Sequence, residues 1–485
     1  MKKRIVIGIL GLLVALSARP QQPLTLDSCR QMALHNNKQL RIAEAKINAA
    51  RNNRKAAFSA YLPAIDASGG YIYNSREISL LNDNLKSTLP QMGTALQQSM
   101  AAVMATNPAL GQLLASLGNI DLATPLNNLG QQIVDEFRTD TRNMWVGNIS
   151  LTQPLYLGGK LRAYNKITRY AEELAQSQQN TAAQEIVYQV DELYWQVVSL
   201  THKKRLAESY AALLDSLQYN IRAMIEEGVA TQSDGLTVAV KSNEAQISLT
   251  QVDNGLSLAK MVLAQMCGMP IDQAYTLADE TMEPETHTAG LHTTLPDMES
   301  VFANRSEIQS LTLAGKIFQN KQKIALSGML PTVALTGNYM ISNPNLFNGF
   351  EREFKGFFNV GVLVRIPLLH WGDNVYKYRA AKSESLIARL ELDEAKEKIE
   401  LQVNQATFKI DEAAKRTGMT AKNLEKADEN LRNAQIGFEE GVLTTDNVLE
   451  AQTAWLKARS EYIDAQIELR LCKVYLAKAL GEMKY

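Results

Sequence analysis

Glu226-Glu227-Gly228-Val229 recurs letter for letter as Glu439-Glu440-Gly441-Val442, 213 residues further on. The same shift carries Gly159 onto Gly372, and Leu263-Ala264-Gln265-Met266-Cys267-Gly268 onto Leu476-Ala477-Lys478-Ala479-Leu480-Gly481, without a gap. Each copy predicts a very long helix (160–227 and 373–440), a Gly-Val turn and a returning helix (233–267 and 446–480). A helix of 68 residues spans about 100 Å. No globular domain needs that length, whereas a coiled coil or a tunnel wall does. The second copy carries a seam at Ala381, Ser385, Ala388, Leu392, Ala395, Ile399, Val403, Ala406, Ile410, Ala413 and Thr417. Its steps are three and four, with one stutter after Ile399. Ala182, Ile186, Val190 and Val197 hold matching positions in the first copy.

Charge and leader narrow the class. The chain carries 50 Lys+Arg against 51 Asp+Glu, a net charge of -1. That balance argues against a general nucleic-acid binder. Lys2, Lys3 and Arg4 precede an apolar run to Leu16, and Ala15-Leu16-Ser17 offers small residues for cleavage. Residues 1–20 are therefore expected to be a secretory leader. Losing its three basic residues takes the charge from -1 to -4. Cys29, Cys267 and Cys472 have no CxxC spacing and do not match across the repeat. They read as small buried apolar residues, and Cys29 lies too far past the apolar run for lipid attachment.

No later stretch offers 18 uncharged apolar residues, so a transmembrane helix is not expected. If the exported chain enters a bilayer, strands must do it, because only helices and closed barrels satisfy the backbone in lipid. Four candidates stand out. Within 64–73, Ile65, Ala67, Gly69, Tyr71 and Tyr73 alternate with Ala64, Asp66, Ser68 and Gly70. In 145–156, Trp145, Ile149 and Leu151 oppose Asn148, Ser150 and Thr152. In 332–341, Val333, Leu335, Tyr339 and Ile341 oppose Thr332, Ala334, Thr336 and Asn338. In 357–367, Phe358, Val360, Val362, Val364 and Ile366 oppose Asn359, Gly361 and Arg365.

These runs have the length a tilted strand needs, and the alternation of a barrel with lipid outside and water inside. Tyr73, Trp145, Tyr339 and Phe358 stand near strand ends, as interface aromatics do. The smallest single-chain barrels use about eight strands, and open edges in lipid are forbidden. Several chains must share one barrel, and three copies of four strands make twelve.

The predicted fold class is mainly α with a membrane β-barrel portion, built from a twofold repeat of helix, β-hairpin, long helix and helix. The first repeat spans 21–268, with a leading helix at 26–61 that stops at Leu62-Pro63. The second spans 298–485, with a helix at 302–326 before Leu330-Pro331. Residues 74–144 form an insertion with no counterpart in the second repeat. It predicts apolar helical segments broken at Pro90, Pro108 and Pro125, outside the cell. Residues 269–297, with Pro270, Pro284 and Pro296, link the halves and are expected to run along the outside of the helices.

This plan resembles the TolC-type outer-membrane efflux protein family over essentially the whole mature chain. The residues that carry the resemblance are Leu62-Pro63 and Leu330-Pro331, and the two Glu-Glu-Gly-Val turns. The barrel-to-helix junctions add Gln153-Pro154-Leu155 with Gly158-Gly159, and Ile366-Pro367-Leu368 with Gly372. The resemblance implies a homotrimer with a 12-stranded barrel in outer-membrane lipid and a 12-helix α-barrel crossing the periplasm. It implies a passive conduit of an efflux or type I secretion system, with no enzymatic step, cofactor, metal or nucleic acid.

The implied partners are a periplasmic membrane-fusion adaptor, met at the turns Gly228-Val229 and Gly441-Val442, and an inner-membrane pump of RND or ABC type. Family carboxylates that line the periplasmic entrance match Asn447 and Glu450, with Asp446 adjacent and Asp234 as the first-repeat counterpart of Asn447. A threefold ring of such carboxylates would concentrate cations. Asp234 and Asp446 also stand where a carboxylate favours a helix start, so capping is the competing reading. A family tyrosine and arginine that hold the entrance shut correspond to Phe438 and Leu443, so that network is missing.

Two other classes compete. His35, His202, His287, His292 and His370 sit in no HExxH frame, and neither a GxSxG motif nor a phosphate loop is present. A secreted coiled-coil scaffold without transport would fit the seam alone, but leaves the strand hairpins unexplained.

Overall fold

The computed structural model describes residues 23–76, 81–107, 121–137, 141–281, 297–345 and 351–483. The expected leader lies outside the described residues, as do Pro108, Pro284, Pro296, His287 and His292. In chain order the elements are α1 (Leu26–Asn36), α2 (Lys38–Ser59), β1 (Ala64–Tyr73), α3 (Asp83–Thr88), α4 (Met92–Thr106), α5 (Ala123–Glu136), β2 (Asn143–Leu157), α6 (Lys160–Glu226) and α7 (Gln232–Cys267). The second half supplies α8 (Met298–Asn304), α9 (Ser306–Ser327), β3 (Thr332–Asn343), β4 (Lys355–Arg365), α10 (Asp373–Glu439) and α11 (Thr445–Leu480). Two compact units result. One comprises residues 1–54, 166–320 and 380–485, the other 55–165 and 321–379.

The first unit is helical. α6 and α10 have 67 residues each, about 100 Å of helix. Of the eleven seam positions on α10, eight are buried, and Ser385, Leu392 and Ala395 are half-buried. The repeat reappears in the packing. Ile186 and Val190 of α6 join Ala33 of α1 in one cluster, with Leu40 of α2 against its edge. Their counterparts Ile399 and Val403 of α10 join Val301 of α8 and Ile308 of α9 in another. Linker residues Tyr275 and Leu277 are buried in the first cluster, where Leu24 N–H bonds the Thr276 carbonyl at 2.9 Å. Residues 275–277 therefore pack directly against α1, α6 and α7.

The leading helix expected over 26–61 is two helices. Asn37 breaks it with extended backbone (φ -66°, ψ 127°). The Asn37 Oδ1 atom accepts the Gln39 N–H at 2.8 Å, a local bond that stabilises the new helix start. Arg305, 268 residues on, makes the matching break between α8 and α9 (φ -75°, ψ 115°). Tertiary packing accounts for both. A Cβ at Gly268 would lie 2.4 Å from Asn36 Cβ, and one at Gly481 would lie 3.0 Å from the Asn304 carbonyl carbon. Each returning helix thus ends against the break, and its glycine leaves the necessary room.

The second unit holds an antiparallel sheet in the order β1-β2-β3-β4. Register aligns Asp66, Ser150, Asn338 and Asn359 in one row across the sheet, and Ala67, Ile149, Tyr339 and Phe358 in the next. Cross-strand partners share a face, so the rows alternate between polar and apolar. β2 begins at Asn143, two residues before the expected start, so the insertion is shorter by that amount. Pro125 lies inside the first turn of α5 rather than between helices, because the first turn does not need that N–H. Asn127 Oδ1 receives Gly93 N–H at 2.8 Å and Thr94 N–H at 3.2 Å, tying α5 to α4.

β4 stops at Arg365, short of the expected 367. Pro367 supplies no N–H and restricts Ile366, which ends a strand at the sheet margin. Pro154 remains within β2, where a bulge between Pro154 and Tyr156 shifts the register against β3.

Candidate functional site

The two hairpin tips are built alike. At the end of α6, Gly228 (φ 73°) donates its N–H to Ile225 O at 3.1 Å, and Val229 donates to Met224 O at 2.8 Å. At the end of α10, Gly441 (φ 74°) donates to Phe438 O at 3.0 Å, and Val442 to Gly437 O at 2.8 Å. These bonds satisfy the last helical carbonyls, and the left-handed residue between them favours glycine. Val229 and Val442 are left exposed at the turns.

The next helices start with matched capping boxes. Asp234 Oδ2 accepts from Thr231 N–H (2.9 Å) and from the Thr231 hydroxyl (2.7 Å). Asn447 Oδ1 accepts from Thr444 N–H (3.1 Å) and from the Thr444 hydroxyl (2.8 Å). An amide oxygen replaces a carboxylate oxygen in the same role, so the Asp-to-Asn difference between the repeats leaves the cap intact. Thr231 also holds the Asp234 carboxyl below the usual carboxylate range.

Asp446, Asn447 and Glu450 form one exposed strip, while Thr445, Val448 and Leu449 are buried behind it. At the matching positions of the first hairpin stand Ser233 and Thr237, so the second hairpin alone adds free carboxylates there. Phe438 is buried with Ile221, Val238, Val448 and Leu449, packing the two hairpins together. Leu443 lies across Gly437, where a Cβ would meet its Cδ1 at 2.8 Å. Apolar packing therefore occupies both places where the resemblance implied a polar latch.

On the sheet, the apolar rows are open. Ile65, Ile149, Phe358, Val360, Val362 and Val364 are all exposed. The opposite face carries Asn338, whose amide donates to Asn359 Oδ1 at 3.1 Å. A sheet with one broad exposed apolar face needs an apolar surrounding.

Glycine suits the left-handed backbone and the close approach that the junctions require. Gly158 (φ 59°) sits where a Cβ would meet Ser327 O at 2.8 Å. Gly159 (φ 82°) lends its carbonyl to the first turn of α6, accepting Ala163 N–H at 3.0 Å. Gly372 (φ 86°) does the same for α10 through Tyr376 N–H at 2.9 Å. Sequence reasoning quoted Leu368 at this junction but gave no part to Leu369 and Trp371, which are also exposed. Leu368 is 90% exposed, and Trp371 is 88% exposed at φ 48°. Their signal was present as an apolar run continuing past the last strand.

A helical unit of two long hairpins, joined in one chain to a four-stranded sheet with an exposed apolar face, defines an outer-membrane channel subunit. The scaffold alternative has no use for such a sheet. The model of the family described as "Outer membrane efflux protein" matches residues 29–269 and 298–482, and the chain belongs to that family. It is an efflux channel protein of the outer membrane, and its family is a transport family. "Outer membrane efflux protein BepC" of Brucella suis biovar 1 (strain 1330) is 22% identical over 355 residues, covering 71% of this chain and 74% of that one.

Among solved structures, VceC of Vibrio cholerae superposes with a TM-score of 0.70 at 14% identity, over 94% of this chain and 96% of that one. The MtrE outer membrane channel of Neisseria gonorrhoeae gives 0.68 at 17% identity, over 94% and 88%. CusC gives 0.72 at 14% identity, over 96% and 93%.

Proposed function

We propose that three copies of the chain close one 12-stranded barrel in the outer membrane, with their paired hairpins forming a 12-helix tunnel in the periplasm. The observation that carries this reading is the sheet: four strands, β1 and β4 at its margins, and an apolar face open to its surroundings. Lipid tolerates no unpaired strand margin, and pairing β4 of one copy with β1 of the next satisfies both.

The conduit is passive. The exposed turns Gly228-Val229 and Gly441-Val442 receive a periplasmic adaptor, which couples the channel to an RND or ABC pump in the inner membrane. Asp446 and Glu450, repeated three times, make the periplasmic entrance cation-preferring. Asp234 and Asn447 act there through their caps.

Native mass measurement in mild detergent tests the assembly. A species of three processed chains is expected, and a monomer that retains its sheet overturns the proposal.

A further inference from the structure

Cys29 lies in α1 and Cys267 is the last residue of α7, 238 positions away. Both are 0% exposed and belong to one cluster with Ala33, Tyr194 and Ala264. The Cys267 thiol points at the Cys29 carbonyl oxygen, 3.6 Å away. The two thiols are separate in this structure.

The second repeat shows what this contact replaces. The positions matching Cys29 and Cys267 are Asp297 and Leu480. There Arg305 holds the end of the returning helix, its Nη1 donating to Lys478 O (3.2 Å) and Ala479 O (2.9 Å). Asn37 stands in place of Arg305 in the first repeat and cannot make that clamp. Asn36 reaches across instead, donating to Cys267 O at 3.1 Å. The first repeat thus lacks the arginine clamp and carries two buried cysteines at the same joint.

We propose that Cys29 and Cys267 form a disulfide in the exported protein, locking α1 onto the end of α7. The inference rests on passage across the inner membrane, where disulfides persist, and is independent of trimer or entrance geometry. Two thiols lose two protons and two electrons as the S–S bond forms. The electrons pass to the reactive disulfide of an exported dithiol oxidoreductase, which is cleaved and released as a dithiol.

Timing follows from burial. Both cysteines are 0% exposed, so an oxidoreductase cannot reach them once α1 has docked. Exchange therefore takes place on the folding chain, before α1 docks. Cys472 on α11 remains a single half-buried thiol.

The test counts thiols. Outer membranes are acid-quenched, and the chain is denatured and labelled with a polyethylene-glycol maleimide. Of its three cysteines, one is expected to label without reductant and all three after reduction. Cys29→Ala or Cys267→Ala is expected to label twice without reductant. Three labels on the unreduced exported chain refute the disulfide. A reductant-sensitive dimer band that leaves two cysteines per chain to label refutes it too, because the bridge would then lie at Cys472 with the Cys29 and Cys267 thiols both free. Outer-membrane fractionation of the same sample separates these results from a failure of the channel reading.

Discussion

Val360 and Asn359 are neighbours on β4 and face opposite ways, so exchanging each for arginine asks which face meets lipid. Val360 is the sixth of eleven strand residues, near mid-height, and its side chain is 69% exposed. An arginine on the lipid face at the bilayer midplane costs about 2–4 kcal/mol per copy. Every 1.4 kcal/mol is tenfold, so the inserted population falls roughly thirty- to several-hundred-fold per subunit. Asn359→Arg loses its bond from Asn338, worth about 0.5–1.5 kcal/mol at most. Its new charge points into a water-filled lumen. The lipid term is the larger, so the two variants should separate.

The assay is the amount of protein in the outer-membrane fraction that runs as a heat-dissociable trimer, compared at equal synthesis. Val360→Arg is expected to be nearly absent, and Asn359→Arg near wild type with altered single-channel conductance. Equal loss of both, or loss of Asn359→Arg alone, refutes the assignment of faces.

Other outcomes follow from the same geometry. Arg30 grips the fully buried Asp191 carboxylate through Nε (2.7 Å) and Nη2 (2.5 Å). Arg30→Met strands that charge and should cost about 3–5 kcal/mol, read as a lowered detergent unfolding midpoint. Arg30→Met with Asp191→Leu should recover most of the loss. At Asp234, a folded-state pKa below the unfolded value means that the cap's contribution is present above the unfolded pKa and fades as pH falls through the folded one. Asp234→Asn should flatten that acid dependence of helix content in circular dichroism, because Asn447 already caps as an amide. Asn447→Ala removes the bond accepted from Thr444 N–H and should weaken the α11 start by about 0.5–1.5 kcal/mol, and Asn447→Asp should leave it unchanged. Planar-bilayer reversal potentials should show greater cation preference for Asn447→Asp and less for Glu450→Gln.

Much of the architecture was legible before any coordinates. The Glu-Glu-Gly-Val turns announce two helix ends because only a few residues favour a left-handed backbone, and glycine leads them. The strand faces could be read because a pleat alternates every second residue, so Ile149 and Ser150 declare opposite environments by adjacency alone. Asp234 and Asp446 were placed near the correct helix starts as candidate caps, but position alone did not show that Asn447, rather than Asp446, makes the cap in the second repeat. The capping bonds to Thr231 and Thr444 became visible only with side-chain geometry.

Local rules govern what a single chain segment reveals: helical period, strand alternation, turn chemistry and the 213-residue self-similarity. Contacts between distant segments leave no such trace. The breaks at Asn37 and Arg305 arise because a returning helix ends against them, though neither residue is a strong helix breaker. Arg30 finds Asp191 across 161 residues, and Cys29 finds Cys267 across 238. Those pairings depend on how α1 seats against α6 and α7, which close packing of the whole helical unit decides.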